Sequence, residues 1–341
     1  MNPSLYGTIL LLTILVSVLT GCTSFPKSDH CDGSVFFNKT PDHTFSDMVK
    51  WMWEMKTVDW PDEIVDPPQP KPEQRLSNGK IRITFINHAT TLIQYGSVNI
   101  LTDPIWSERA GPVSFIGSKR IRKPGVSFDD LPKIDFILIS HNHYDHLDLP
   151  TIERFIARDN PVIITGLGAG SVISVKDPAK LRELDWWNDY VPGTGGITIT
   201  CVPAVHNSGR GIFDGNRSLW CGFVINGGSG PVYFAGDTAY GDFFRDIRSR
   251  FGPFKCAILP IGNYEKRWIM KMMHMNPEDA VNAHQILEAD ISVGIHFATF
   301  NEHPEQSVDA HEKDLDEALR KKNLDRTVFM IPAFGEQIII R

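Results

Sequence analysis

The side chains with the most chemistry fall in one run, His141-Asn142-His143-Tyr144-Asp145-His146-Leu147-Asp148, fed by the apolar stretch Ile137-Leu138-Ile139-Ser140. Neutral imidazoles together with a carboxylate are the donors a zinc-class ion takes. A buried strand ends at a fixed place, so side chains just past its end are held rigidly. Three more candidates stand in the same kind of position. His206 follows the alternating run Ile197 to Pro203, Asp237 follows Pro231 to Ala235, and His296 follows Ile291 to Ile295. Strands lying side by side bring their ends together, so all seven residues can share one site. Seven donors suit two metals: three His plus a bridging Asp for one, and an Asp, two His and the same bridge for the other. Each ion then keeps an open position. Two ions about 3.5–4 Å apart can clamp both oxygens of an in-line displacement. The donors suit two zinc ions and are also compatible with iron or manganese.

The elements that must position these residues are legible in outline. Ile81 to Ile86 alternates as a half-buried strand does. Thr91 to Tyr95 and Val98 to Thr102 follow, joined by the hairpin signal Gly96-Ser97. Asp103 and Pro104 close that strand, with Asp103 read as the cap of a turn. The stretch from Ile105 to Asp130 reads as a long loop carrying Arg109, Lys119, Arg120, Arg122 and Lys123, which either face an anionic substrate or are simply solvated. Asp148 is placed to cap a helix over Leu149 to Arg158 or to orient a ligand histidine. Asn276 caps another that opens on Pro277, Glu278 and Asp279. A charged helix over Ser307 to Lys322 and two short apolar runs end the chain.

The chain has 341 residues, 42% of them hydrophobic, and a net charge of -7. With no long basic run it does not read as a nucleic-acid binder, because such binding rests on clustered Lys and Arg. Ile9 to Leu19 is apolar but short for a membrane span. It leads to Leu19-Thr20-Gly21-Cys22, which resembles a bacterial lipoprotein signal. The expected division is a signal peptide over residues 1–21, a linker and helical extension over 22–80, and a catalytic domain over 81–341. Cys22 is then the lipidated residue, and the protein sits in the cell envelope, anchored to the outer membrane and facing the periplasm; the other reading is an uncleaved anchor. Thr23 to Lys39 reads as a leader without a period. A helix is expected over Phe45 to Thr57. Its Trp51, with Trp53 and Trp60 close by, forms either a wall for an apolar substrate or membrane, or ordinary core packing. Cys31, Cys201, Cys221 and Cys256 are expected to form no obligatory disulfide framework, since a chain of this size builds its own core.

His-x-His-x-Asp-His, at His141, His143, Asp145 and His146, resembles the main signature of the metallo-β-lactamase superfamily, from about Ile81 to the C-terminus. The resemblance implies an α/β fold, a four-layer αββα sandwich with its site at one edge of the two sheets. It also implies a ligand set: His141, His143 and His206 for the first metal; Asp145, His146 and His296 for the second; and Asp237 as the bridge. The words His88-Ala-Thr90, Leu101-Thr-Asp-Pro-Ile105, Phe234-Ala-Gly-Asp-Thr238, Pro260-Ile-Gly-Asn-Tyr-Glu265 and Gly294-Ile-His-Phe297 are similar to those of the N-acylphosphatidylethanolamine-hydrolysing phospholipase D group and its bacterial relatives. That branch implies a metal-dependent phosphodiesterase acting on a phospholipid-like substrate. Asp145 and His274 are the candidate catalytic residues, His274 to position a phosphate oxygen or protonate a leaving group. Tyr264 and Arg267 stand as lesser candidates beside His274, and His88 as a residue that orients ligands. The chain departs from the animal enzyme at Met273, and its N-terminal region matches less well. A lactonase or other carbonyl hydrolase, and a non-catalytic envelope metal-binding protein, are the rival readings.

Overall fold

The computed structural model describes residues 24–39, 44–77, 79–301 and 305–341; Cys22 and the apolar stretch before it lie outside them. The first sheet opens with β1 (Ile81–Asn87), β2 (Thr90–Tyr95) and β3 (Val98–Thr102). A separate hairpin, β4 (Arg109–Val113) with β5 (Ile116–Lys119), follows. The first sheet resumes with β6 (Phe136–Ile139), β7 (Val162–Gly166) and β8 (Leu181–Leu184). The second sheet is built from β9 (Asp189–Tyr190), β10 (Ile197–Val202), β11 (Gly222–Gly227), β12 (Val232–Phe234), β13 (Cys256–Pro260), β14 (Ile291–Ile295) and β15 (Phe329–Met330). Strand β16 (Gln337–Ile340) returns to pair with β1. The orders are β16-β1-β2-β3-β6-β7-β8 and β15-β14-β13-β12-β11-β10-β9.

Period-two alternation makes the layers. Ile83, Phe85, Ile93, Ile100, Leu138 and Ile164 face inward and share one core with Ile199, Phe223, Val232 and Ile258 of the second sheet. Their sequence neighbours Ile86, Leu92, Leu101, Ile137, Ile139 and Ile163 face outward. They meet Ile152 and Phe155 of a helix over Leu149–Arg158. Helices over Phe243–Phe251, Pro277–Leu287 and Ala310–Lys321 cover the outer face of the second sheet through Phe244, Ile247, Val281, Leu287 and Leu315. The result is the expected αββα sandwich.

Strand directions decide where the site can be. β10 and β12 both pair antiparallel with β11, so they point the same way, and β13 and β14 run parallel to β12. The carboxyl ends of β10, β12 and β14 therefore lie on one edge. The end of β6 joins them through the hydrogen bond from Cys221 N to Ser140 O, 2.9 Å.

Three expectations change. The segment read as a leader is packed: Cys31 and Phe36 are buried with Ala204, Leu219 and Trp220. The long loop after β3 contains the β4–β5 hairpin, and its Arg120 is buried rather than solvated. The N-terminal helix runs Phe45–Glu54, with a capping box between Thr44 and Asp47. Trp51 and Trp60 are half-buried and donate to Glu305 and Gln306 O, while Trp53 is 91% exposed and is not core. Cys31, Cys201, Cys221 and Cys256 are buried free thiols. Among the described residues no helix is long and apolar enough to cross a membrane.

Candidate metal centre

Each donor stands where its strand stops. His141 follows β6 by two residues, and the turn after it is held by Arg210, whose guanidinium donates to Asn142 O (2.9 Å) and Leu147 O (2.7 Å) while lying over the Tyr144 ring. Tyr144 in turn donates to Arg210 O, 2.6 Å. Asp237 follows Gly236, whose φ is +60° and whose missing Cβ would lie 2.4 Å from Ser140 Cβ. His296 follows β14 with φ +64°, and a Cβ on Gly262 would lie 1.8 Å from its carbonyl oxygen. Left-handed backbone at a non-glycine residue and glycine-only approaches mark a place where the chain is forced into one shape.

All seven candidate ligands converge. His141 Nε2 lies 2.8 Å from His143 Nδ1, and His206 Nε2 lies 3.4 Å from the same atom. Asp145 Oδ2 lies 2.9 Å from His146 Nε2 and 3.5 Å from His296 Nε2. Asp237 Oδ2 stands between the two groups, 3.0 Å from His296 Nε2, 3.2 Å from His146 Nε2 and 3.8 Å from His206 Nε2. His274 Nδ1 approaches the same oxygen at 3.9 Å. The groups His141-His143-His206, His141-His146-Asp237 and His88-Asp145-His146-His296 each bring their ligand atoms within 4.8 Å of one another, as a metal site requires.

The electrostatics divide the site in two. Burial holds His141 well below the usual histidine range, lowers His143, and takes His206 down to about 3, so this trio offers neutral imidazoles. Burial also opposes charge in the second group, but there the charges win. The His146 charge holds the Asp145 and Asp237 carboxyls well below the usual carboxylate range. Those carboxylates push His146 well above its ordinary value, and Asp237 with Asp145 raises His296 to about 10. One buried and one half-buried carboxylate thus demand positive charge at one spot, which a proton or a metal ion satisfies. Asp237 Oδ1 is buried without a hydrogen bond, the condition a bound cation relieves. The donor set fits metal.

A supporting layer orients these donors. Asp103, buried completely, accepts from Ser140 N (2.7 Å) and Ser140 Oγ (2.6 Å) and bonds His146 Nδ1 at 2.7 Å. Reading it as a turn cap missed this. The rule that picked out the candidate ligands applies to it as well, since it too follows an apolar strand. His88 Nε2 bonds Asp145 Oδ2 at 2.9 Å, the orienting part expected of it. Asp148 stands at the helix N-cap without a side-chain capping bond and instead takes Ser107 N, Ser107 Oγ and Thr151 Oγ1. Tyr264 is buried, and its hydroxyl donates to Asp314. Arg267 donates to His274 O (2.9 Å) and Asp279, so it holds the backbone of His274 rather than the centre. Asn38 Nδ2 donates to His206 O, 2.7 Å, from a segment in which no spacing or pattern marks it.

A His/Asp cluster at the strand ends of an αββα sandwich is an arrangement able to hold metal ions. A family model described as a beta-lactamase superfamily domain matches residues 98–297, well over half the chain and all seven donors. The chain belongs to that superfamily. It is 40% identical over 227 residues to N-acyl-phosphatidylethanolamine-hydrolyzing phospholipase D 1 of Caenorhabditis elegans, covering 64% of each protein. It is 37% identical to the mitochondrial enzyme of that name from Saccharomyces cerevisiae, covering 64% of this chain and 47% of the yeast protein. The matches thus span less than two thirds of these relatives. Among solved structures, a metallo hydrolase from Ignicoccus hospitalis shares the fold with a TM-score of 0.58 and 20% identity, over 77% of this chain and 99% of that one.

Proposed function

We propose that this protein is a dizinc phosphodiesterase of phospholipase D type that acts on N-acylphosphatidylethanolamine-like lipids. The observation that carries the reading is a three-histidine set and an Asp/His set gathered on either side of one carboxylate, Asp237, which suits two adjacent ions. The names of the nematode and yeast relatives support the substrate class. Zinc is the metal of the proposal, with iron and manganese the alternatives the donors also suit.

His141, His143 and His206 would hold one ion, and Asp145, His146 and His296 the other, with Asp237 between. Bound metals supply Lewis acidity and activate water at neutral pH. His88 and Asp103 fix the Asp145 carboxylate and the His146 ring, so these donors keep one geometry. His274, beside Asp237, is positioned to bind a phosphoryl oxygen or give a proton to the leaving alcohol. In the same reading Cys22 carries a lipid, and the enzyme works from the periplasmic face of the outer membrane.

The test uses purified protein titrated with zinc, manganese or iron and assayed on phosphodiesters, N-acyl phospholipids, lactones and β-lactams. Turnover of the phosphodiester panel, with at least about a thousandfold loss in His141→Ala and Asp237→Ala, is expected. Full activity in either variant would overturn the reading, and turnover confined to lactones would replace it with carbonyl hydrolysis.

A further inference from the structure

A cavity of about 560 Å³ lies beside the segments that carry His206 and Asp237. Its walls come from Trp186 and Trp187, from Val205 beside His206, from Tyr240 and Phe243 after Asp237, and from Met272. The volume falls in the range of small-molecule sites, about 300–1,000 Å³. The metal donors are absent from its lining.

Several of the polar groups that line this cavity are already engaged. The Trp186 indole N–H donates to Trp220 O, 2.9 Å. His30, stacked on Trp186 at 4.1 Å, bonds Asp29 through one ring nitrogen and Asp185 through the other, both at 2.8 Å. The Asn38 amide N–H is directed to His206 O. The charged groups stand in water at the mouth and carry both signs. Lys39 is paired with Asp29 at 3.0 Å, and Lys271, Asp242 and Asp246 are exposed. An interior dominated by aromatic faces and a methionine offers a polar ligand little. It offers an aliphatic chain dispersion contact and removal from water. Mixed charge at the mouth leaves a polar head group solvated without choosing its sign.

We propose that this cavity binds the single aliphatic chain of an amphiphile, beside the metal centre and independently of it, with the chain rather than the head as the recognised part. Tryptophans in the wall make binding visible. The probes are dibromostearate and a brominated lysophosphatidylcholine, below their micellar concentrations, added to the full-length metal-loaded protein. Bromine quenches a tryptophan it touches. Saturable quenching by both probes, at one chain per protein, is expected. Met272→Arg, which places a guanidinium in the cavity, should weaken both by at least about tenfold. Tyr240→Ala, at a side chain 38% exposed, should weaken both by a smaller factor with the fold intact. Phe213→Ser, outside the cavity at a side chain 88% exposed, should leave both curves unchanged. His141→Ala should bind the probes like the parent, so failure of hydrolysis and failure of chain binding are separate results. Absence of saturable quenching, or curves unmoved by both Met272→Arg and Tyr240→Ala, would overturn the proposal. Quenching by the fatty acid alone would also overturn it, because recognition would then lie with the head group.

Discussion

Asp103 stands behind the metal donors, where its carboxylate bonds the His146 ring and both the amide and the hydroxyl of Ser140. Its own burial favours the neutral acid and raises its pKa, while His146 and Ser140 oppose that. Asp103→Asn keeps the shape and removes the charge behind His146. The expected outcome is a loss of about 10–100-fold in affinity for one of two ions, read by chelator competition. His88→Ala frees the Asp145 carboxylate and should have a smaller effect on the same ion. These residues show what was legible one side chain at a time. The seven candidate ligands announced themselves because each follows an apolar strand and none is an ordinary strand residue. Arg210 and Asn38 did not, since a guanidinium or amide that bonds backbone carbonyls has no spacing to give it away.

Between elements, the close crossings set the geometry. Gly262, just past β13, passes so near His296 O, just past β14, that a methyl group cannot be fitted without moving the strand ends apart. Gly262→Ala is expected to cost about 1–3 kcal/mol and to release metal, measured as a lower melting midpoint and lower metal content. The helix over Ala310–Lys321 gives a pH signature. His311 stacks on Phe297 at 4.5 Å, and burial with the nearby Arg122 charge lowers its pKa to about 3. The unfolded chain takes up that proton near pH 6.5, so this contribution is full above 6.5 and is lost as pH falls toward 3. His311→Phe should therefore lose less of its melting midpoint between pH 7 and pH 5 than the parent, by differential scanning calorimetry. The long strands were legible because their alternation is regular. The β4–β5 hairpin was hidden because Gly111 and Pro112 break its pattern and most of its residues are exposed.

At the scale of the molecule, two facing sheets with parallel central strands gather four strand ends on one edge, and the site is a consequence of that topology. The N-terminal segment belongs to the same body, which three apolar residues without a period, Phe25, Cys31 and Phe36, did not reveal. Phe36 is fully buried, so Phe36→Ala is expected to cost about 3–5 kcal/mol, measured by denaturant unfolding, where a loose leader would cost nothing. The central claim is that the gathered side chains form one two-ion centre joined by Asp237. It is tested most directly by elemental analysis of metal bound per chain, in the parent and in Asp237→Asn, alongside phosphodiester hydrolysis on the same samples. The expected result is two ions per chain and turnover in the parent, and at most one ion and no turnover in the variant. One ion or none in the active parent, or two ions and full turnover without the Asp237 carboxylate, would contradict it.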